Sequence, residues 1–184
     1  MAVRDQLIEA TADLMRRHGV AGTGVAEILK ESGVARRSLY LNFPGGKTEL
    51  VTATTKTAGG ALTAVLSAVM TKPDPIGAFA EMWSAMLRAT DFQGGCPVVA
   101  AALGRHSAAG ATEAAVEVFG EWRRVIADHL HEAGVADTVA ASLATTIVAA
   151  VEGAVVLSEA TRTTAPLDDV AAHLNELVAL HLAG

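Results

Sequence analysis

A chain of 184 residues carrying a net charge of −6 is long enough for one or two small domains with a real core, and too acidic to be a generic nucleic-acid sponge. It is 51% hydrophobic but only 4% aromatic, Ala is abundant, and no alternating β-branched runs bounded by tight turns occur, so the expected class is all-α. The single cysteine, Cys96, excludes an internal disulfide, and no basic segment followed by a leucine-rich run opens the chain, so neither a signal peptide nor an oxidising compartment is expected. Charge is uneven along the sequence: the first fifty residues carry seven basic and six acidic side chains, a balance of +1, which leaves −7 to the rest.

The first element expected is a helix over residues 4–19, with Leu7, Ile8, Ala10, Thr11, Leu14 and Met15 as its apolar side. Residues 24–50 follow as the most informative stretch. Val25, Ile28 and Leu29 repeat at the spacing of a short amphipathic helix. Ser32-Gly33 breaks it, Gly being the residue that tolerates a left-handed helix end. Val34, Leu39 and Phe43 carry the next apolar set, and Pro44-Gly45-Gly46 ends that second helix after about two turns. Two short helices at a sharp turn form a unit able to lay the second helix in a DNA major groove.

Because the apolar residues face inward, Arg36, Arg37, Tyr40 and Asn42 are expected to point outward or flank the seam. Arg pairs bidentately with guanine and Asn with adenine, while Tyr and Ser38 suit phosphate oxygens. Lys47 opens the next helix, where free N–H groups favour an anion, and Thr23 is placed to cap the first short helix or to donate to a phosphate. An acidic remainder disfavours other docking orientations on DNA.

This stretch resembles the N-terminal helix-turn-helix of TetR/AcrR-type transcriptional regulators. Val25, Glu27, Ile28, Gly33, Val34, Ser38, Leu39, Tyr40, Phe43, Pro44, Lys47 and Glu49-Leu50 carry the resemblance, and residues 4–19 look like the family's first helix. The run Phe43-Pro44-Gly45-Gly46-Lys47, with Gly95-Cys96-Pro97 later, is similar to the LmrA-like branch. Four positions depart from the usual pattern. Ala35 stands where Ser or Thr is usual, which removes a cap worth about 1 kcal/mol. Arg37 replaces a small residue, Leu29 an Ala, and Asn42 a His or Tyr. These are read as changes in operator preference.

Beyond residue 47 the pattern predicts helices throughout: 48–70 with Gly59-Gly60 inside it, as a hinge or as a close-packing site; 76–90 with Ile76, Phe79, Ala80, Trp83, Met86 and Leu87 on one side; 97–108 opened by Pro97; 112–133 with Val116, Phe119, Trp122, Ile126 and Leu130 as its stripe; 137–161; and 166–182. The apolar run 143–157 holds Glu152, two Thr and a Gly, too short and polar for a membrane span, so no membrane partner and a bacterial cytoplasmic location are expected. Val139, Leu143, Ile147, Val151, Val155 and Leu157 are too many for one narrow stripe, and Leu174, Leu177, Val178 and Leu180 of the last helix add to them. Pairing with a twofold copy is the burial they suggest.

The expected organisation is therefore an N-terminal three-helix helix-turn-helix domain, residues 1–46, and a C-terminal helical ligand-binding and dimerisation domain, residues 47–184. The resemblance implies a homodimer through the last two helices, a palindromic double-stranded DNA operator, and an effector pocket among the middle helices. Candidate pocket residues are Trp83, Met86, Leu87, Phe92, Leu103, Phe119, Trp122 and Ile126, each of which also suits plain core, with Cys96, His106 and Glu152 as polar additions. A pocket of that lining takes a lipophilic or aromatic small molecule, such as a flavonoid or drug-like compound.

Enzyme chemistry finds little support, and no catalytic residue, cofactor or metal is expected. A phosphate loop ending in Gly46-Lys47-Thr48 would need Gly at position 41, where Leu41 stands. Gly22 and Gly24 lack the third glycine and the strand of a dinucleotide site. His129 and His131, two residues apart, point to different helix faces. The principal reading is a ligand-gated DNA-binding repressor; the alternative is a helical small-molecule-binding or catalytic protein whose head no longer reads DNA.

Overall fold

The computed structural model describes residues 2–182, and every regular element among them is an α-helix. In chain order these are α1 (Val3–His18), α2 (Val25–Ser32), α3 (Arg36–Asn42), α4 (Gly46–Val69), α5 (Pro75–Ala89), α6 (Pro97–Leu103), α7 (Ala109–Glu132), α8 (Asp137–Thr161) and α9 (Ala165–Leu182). The expected boundaries hold to within three residues except at α6, which stops at Leu103 instead of 108. Gly104 caps it, and Ser107 and Ala108 both donate their N–H to the Gly104 carbonyl, turning the chain into α7. Gly104 lies so close to Val20 that a Cβ there would approach it to 2.8 Å.

The chain divides into two compact units. The first takes Met1–Ala61 and Cys96–Val118, the second Leu62–Gly95 and Phe119–Gly184. In the first, α1, α2 and α3 close around Leu7, Leu14, Ile28, Leu39, Phe43 and Leu50, with Ile8, Val25, Leu29, Val34 and Ala53 packed at the edge. The bulk of Leu29 is thus absorbed at the margin of this core. Gly33 adopts the left-handed conformation (φ 67°) and donates its N–H to the Leu29 carbonyl, ending α2 as its sequence suggested. Gly59 is a close-packing position: an added Cβ would come within 2.3 Å of Val118. Val118 is buried there, whereas Val116, expected on the buried stripe of α7, is 64% exposed. The core of this unit takes up Ala111, Ala114, Ala115 and Val118, a row that leaves Val116 outside.

In the second unit α5, α8 and α9 pack on one another. Trp83 is fully buried with its ring edge-on to Phe79, and the Trp122 indole N–H donates to Thr63 Oγ1 at 3.0 Å. At 25 residues, α8 exceeds the apolar run seen in the sequence and is, by length and composition, able to cross a bilayer. That corrects the expectation drawn from residues 143–157 alone. Here Leu143, Ile147, Val151, Ala154 and Val155 are buried, as in the core helix of a bundle.

The end of α8 is pinned to the loop after α5. Arg162, left-handed at φ 55°, pairs with the Asp91 carboxylate and lies over the Phe92 ring, itself next to left-handed Asp91. The hydrogen bond and charge of Arg162 hold the Asp91 carboxyl below its ordinary range. One turn earlier, burial pushes the Glu159 carboxyl up, partly offset by a bond from the Gly95 N–H.

Candidate nucleic-acid interface and ligand cavity

The seven residues of α3 are held by what lies beneath them. Leu39 and Phe43 are fully buried, fixing one side of the helix in the core. The rest of its surface presents Arg36, which flanks the buried row, and Arg37, both exposed and neither bonded to any described residue through its side chain, with Tyr40 at 44% exposed. The arginines of α1 are differently engaged. Arg16 pairs with Asp13, and Arg17 bridges α1 to α2 through Glu31 at 3.0 Å. The two arginines of α3 therefore keep their hydrogen-bonding capacity for an external acceptor.

Ala35 is the N-cap of α3 and supplies no side-chain bond, as its identity dictates. Gly46 is left-handed (φ 65°), and a Cβ on it would stand 3.2 Å from Tyr40 Cε1, so the Tyr40 ring rests against the glycine. Lys47 is half-buried in the first turn of α4. One amide at that end is already taken, since Gly45 N–H donates to Glu49 Oε2 at 2.7 Å.

Two residues, Thr23 and Asn42, fall elsewhere than expected. Thr23 is buried, and its hydroxyl donates to the Gly19 carbonyl at 2.7 Å; Gly24 is the N-cap of α2, so Thr23 neither caps that helix nor reaches outward. Asn42 is half-buried and turns its amide back to the Ser38 carbonyl at 2.9 Å, which leaves it bonded within its own helix. Ser38 is half-buried.

Two further residues join the face. Leu41, 71% exposed, offers an apolar contact of the kind a thymine methyl accepts. Its position opposite Leu39 and Phe43 on a 3.6-residue period was the available signal. Arg4 donates from Nη1 to the Asn42 carbonyl at 3.3 Å and lies 4.4 Å from the Phe43 ring centre, closing the C-terminal end of α3 from the first turn of α1. Nothing local to residue 4 signals this.

The second unit contains a cavity of about 370 Å³, within the range of ligand sites. The end of α4 and the following turn contribute Leu66, Met70, Pro73 and Asp74. From α5 come Pro75, Ile76 and Phe79; from α7, Ile126, His129, Leu130 and Ala133; from α8, Ile147 and Val151; from α9, Asn175, Val178, Ala179 and Leu182. Of the expected pocket residues only Ile126 lines it. Trp122 and Glu152 reach a narrow crevice that shares Leu66, Phe79, Ile126, Ile147 and Val151 with the cavity. Trp83 and Leu87 are plain core; Met86, Phe92 and Phe119 are half-buried outside the cavity wall. Cys96 is buried in the first unit, where Leu103 (82% exposed) and His106 face solvent. The void forms around the α4–α5 turn and the C-terminal halves of α7 and α9, where widely spaced residues leave a gap. The middle of α5, richest in large apolar residues, is filled by them.

Of the residues expected to meet a second copy, most lie inward, while Leu157 and Leu180 face outward. Leu143, Ile147, Val151, Val155 and Leu174 are buried within the unit, and Leu177 and Val178 half-buried. The apolar residues turned outward on these helices are Val156, Leu157 and Leu180, each more than half exposed, with Ala149, Gly153 and Ala160 between. Among the described residues no three metal-ligating side chains converge; His129 lines the cavity while His131 pairs with Asp137.

Comparison with known proteins agrees with this geometry. Residues 7–54 match the family described as bacterial regulatory proteins, tetR family, and residues 74–173 match the C-terminal domain described as transcriptional regulator LmrA/YxaF-like. An HTH-type transcriptional regulator of Mycobacterium tuberculosis is 29% identical across 97% of this chain and 95% of its own length. The HTH-type transcriptional regulator LmrA of Bacillus subtilis is 29% identical across 95% of this chain and 96% of its own. Among solved structures, the regulatory protein TetR from Rhodobacter sphaeroides superposes with a TM-score of 0.84 at 22% identity, covering 94% of this chain and 96% of that one, a likeness of fold. A TetR transcriptional regulator from Chloroflexus aurantiacus does so at 0.79 with 25% identity, covering 96% and 94%. An outward cationic helix over a small three-helix core, a helical body and two family matches that together span most of the sequence lead to one assignment: the chain belongs to the TetR family of bacterial transcriptional regulators.

Proposed function

We propose that this protein is a cytoplasmic repressor of the LmrA-like branch that binds a palindromic operator as a homodimer and is released by a lipophilic small molecule. Residues 1–46 form the reading head and residues 47–184 the effector-binding and dimerisation region. The observation that carries the reading is α3 itself: Arg36 and Arg37, without internal partners, are exposed together with Tyr40 and Leu41 on a short helix anchored by a fully buried Leu39. Arg36 and Arg37 are the base-reading and phosphate-reading pair, Tyr40 and Lys47 position the helix on the backbone, and Leu41 adds an apolar base contact. Ser38 supports the helix from its half-buried side.

The outer faces of α8 and α9, carrying Val156, Leu157 and Leu180, are the dimer surface, and two heads related by a twofold axis read two half-sites. The cavity in the second unit is the effector site. A ligand there shifts the population of dimers whose heads match the operator spacing, because it binds one arrangement better than the other.

The test is fluorescence anisotropy of the full-length protein on duplexes from its own upstream DNA across a salt series, with the Arg36→Ala/Arg37→Ala variant alongside. Binding that weakens by roughly a hundredfold or more in the variant, with a salt slope shallower by about two, is the expected result. Equal affinity of wild type and variant for every fragment overturns the reading.

A further inference from the structure

We propose that the effector cavity selects by charge: it takes an uncharged or cationic lipophile and rejects anions, with Asp74 as the discriminating residue. This rests on the reading of the cavity as the effector site. The wall is apolar over most of its area, through residues such as Phe79, Ile126, Leu130 and Val151, and includes no Lys or Arg. Its polar groups are Asp74, Asn175 and His129. Asp74 is their only carboxylate. The nearest cation in the sequence, Lys72, is exposed and does not line the cavity.

The bonding of Asp74 leaves one oxygen for a ligand. Oδ1 accepts both from the Gly77 N–H, at 2.9 Å, as the N-cap of α5, and from Asn175 Nδ2, at 3.0 Å, across from α9. Oδ2 accepts no hydrogen bond from the described residues. The two bonds on Oδ1 fix the carboxylate of this exposed residue where it lines the cavity, and Oδ2, lying against Gly77, keeps its capacity to accept from a ligand. A ligand carrying an amine, amidine or hydroxyl meets that oxygen with a donor. A ligand carrying a carboxylate or sulfonate loses hydration on entering, finds no cation to pair with, and meets a like charge. Asn175 and His129 offer hydrogen bonds to either kind of ligand, so they set orientation and leave the charge preference to Asp74.

The experiment is fluorescence titration of the full-length protein with three probes of similar apolar size. N-phenyl-1-naphthylamine is neutral, 8-anilinonaphthalene-1-sulfonate is the same skeleton with an anionic group, and a dimethylaminostyryl N-methylpyridinium dye is the cation. The wild type is expected to bind the neutral probe and the cation, with the sulfonate weaker than the neutral probe by about tenfold. Asp74→Asn keeps the cap, the volume and the bond to Asn175. It is expected to bring the sulfonate to near the affinity of the neutral probe, to weaken the cation by about tenfold, and to leave the neutral probe unchanged.

Val151→Trp and, on the rim, Ala179→Trp fill the site and abolish binding of all three. A sulfonate that binds wild type as tightly as the neutral probe, or ratios that Asp74→Asn leaves alone, overturns the charge selection while the effector site stands. A neutral probe that fails to bind, or that binds both Trp variants undiminished, overturns the cavity as effector site and the selection with it.

Discussion

In the head, Arg36, Arg37, Tyr40 and Leu41 are exposed on a seven-residue helix whose inner side is sealed by Leu39 and Phe43. In the body, Leu66, Phe79, Ile126, Ile147 and Val151 come from four helices and face one another around a space none of them fills. The head puts its chemistry outward from a packed core; the body encloses it. An outward face is defined by its own helix, because the residues opposite a buried i, i+4 pair have nowhere else to point. An enclosed void is defined by the residues that fail to meet, and these are separated by as many as a hundred positions.

The contrast predicts that the two regions respond to different substitutions. The largest effect belongs to Phe43→Ala, which removes a fully buried ring and the surface under Arg4, and costs about 3–5 kcal/mol. Urea denaturation followed by circular dichroism is expected to show the head lost first, and DNA binding lost with it. Binding of N-phenyl-1-naphthylamine by the body is expected to survive. Loss of both activities together would break the distinction.

A smaller effect is expected for Gly33→Ala. No atom lies within 4 Å of the added methyl, so the cost is that of holding Ala at φ 67°, about 1–2 kcal/mol. A melting temperature lower by several degrees, with the salt slope of DNA binding unchanged, sharpens the contrast, since the turn supports α3 without touching DNA. A changed slope would place Gly33 within the interface.

The smallest effect lies in the body and depends on pH. Burial raises the Glu159 carboxyl, so the folded state holds its proton at pH values where the unfolded chain has released it. Stability from this group is full at low pH and declines as pH rises through the raised value. Glu159→Gln keeps an acceptor for Gly95 and removes the titration. The variant is expected to melt above wild type near neutrality, with the gap closing below the ordinary carboxylate range, in thermal scans between about pH 3 and pH 8. A gap that stays constant with pH would assign the effect to packing.

The same contrast explains what was legible beforehand. Residues 24–50 announced two short helices through the Gly33 break and the Pro44-Gly45-Gly46 stop, and α8 matched its expected limits because Asp137 and Arg162 bound a long, almost uncharged run without Pro. Thr23, in the loop before α2, and Asn42, at the end of α3, are polar residues near the reading helix, yet both are bonded to backbone carbonyls four residues back, a choice made by local geometry that residue type does not reveal. Leu143, Ile147, Val151 and Val155 were correctly read as a buried row. Whether a row is buried by its own chain or by a second copy is the same pattern in sequence, and the packing of α8 on α9 and α5 decides it.

By itself, then, the sequence determined the helical class, the helix limits other than that of α6, the reading unit and the exposed arginines of α3. Each of these follows from interactions within four residues or from a hydrophobic period carried by one helix. Only the tertiary structure decided that Arg4 closes α3, that Gly59 admits Val118, and that the cavity opens at the α4–α5 turn with Asp74 and Asn175 joined by a hydrogen bond. Those features depend on which distant side chains meet and which fall short of meeting, and no periodicity along one helix encodes that distance.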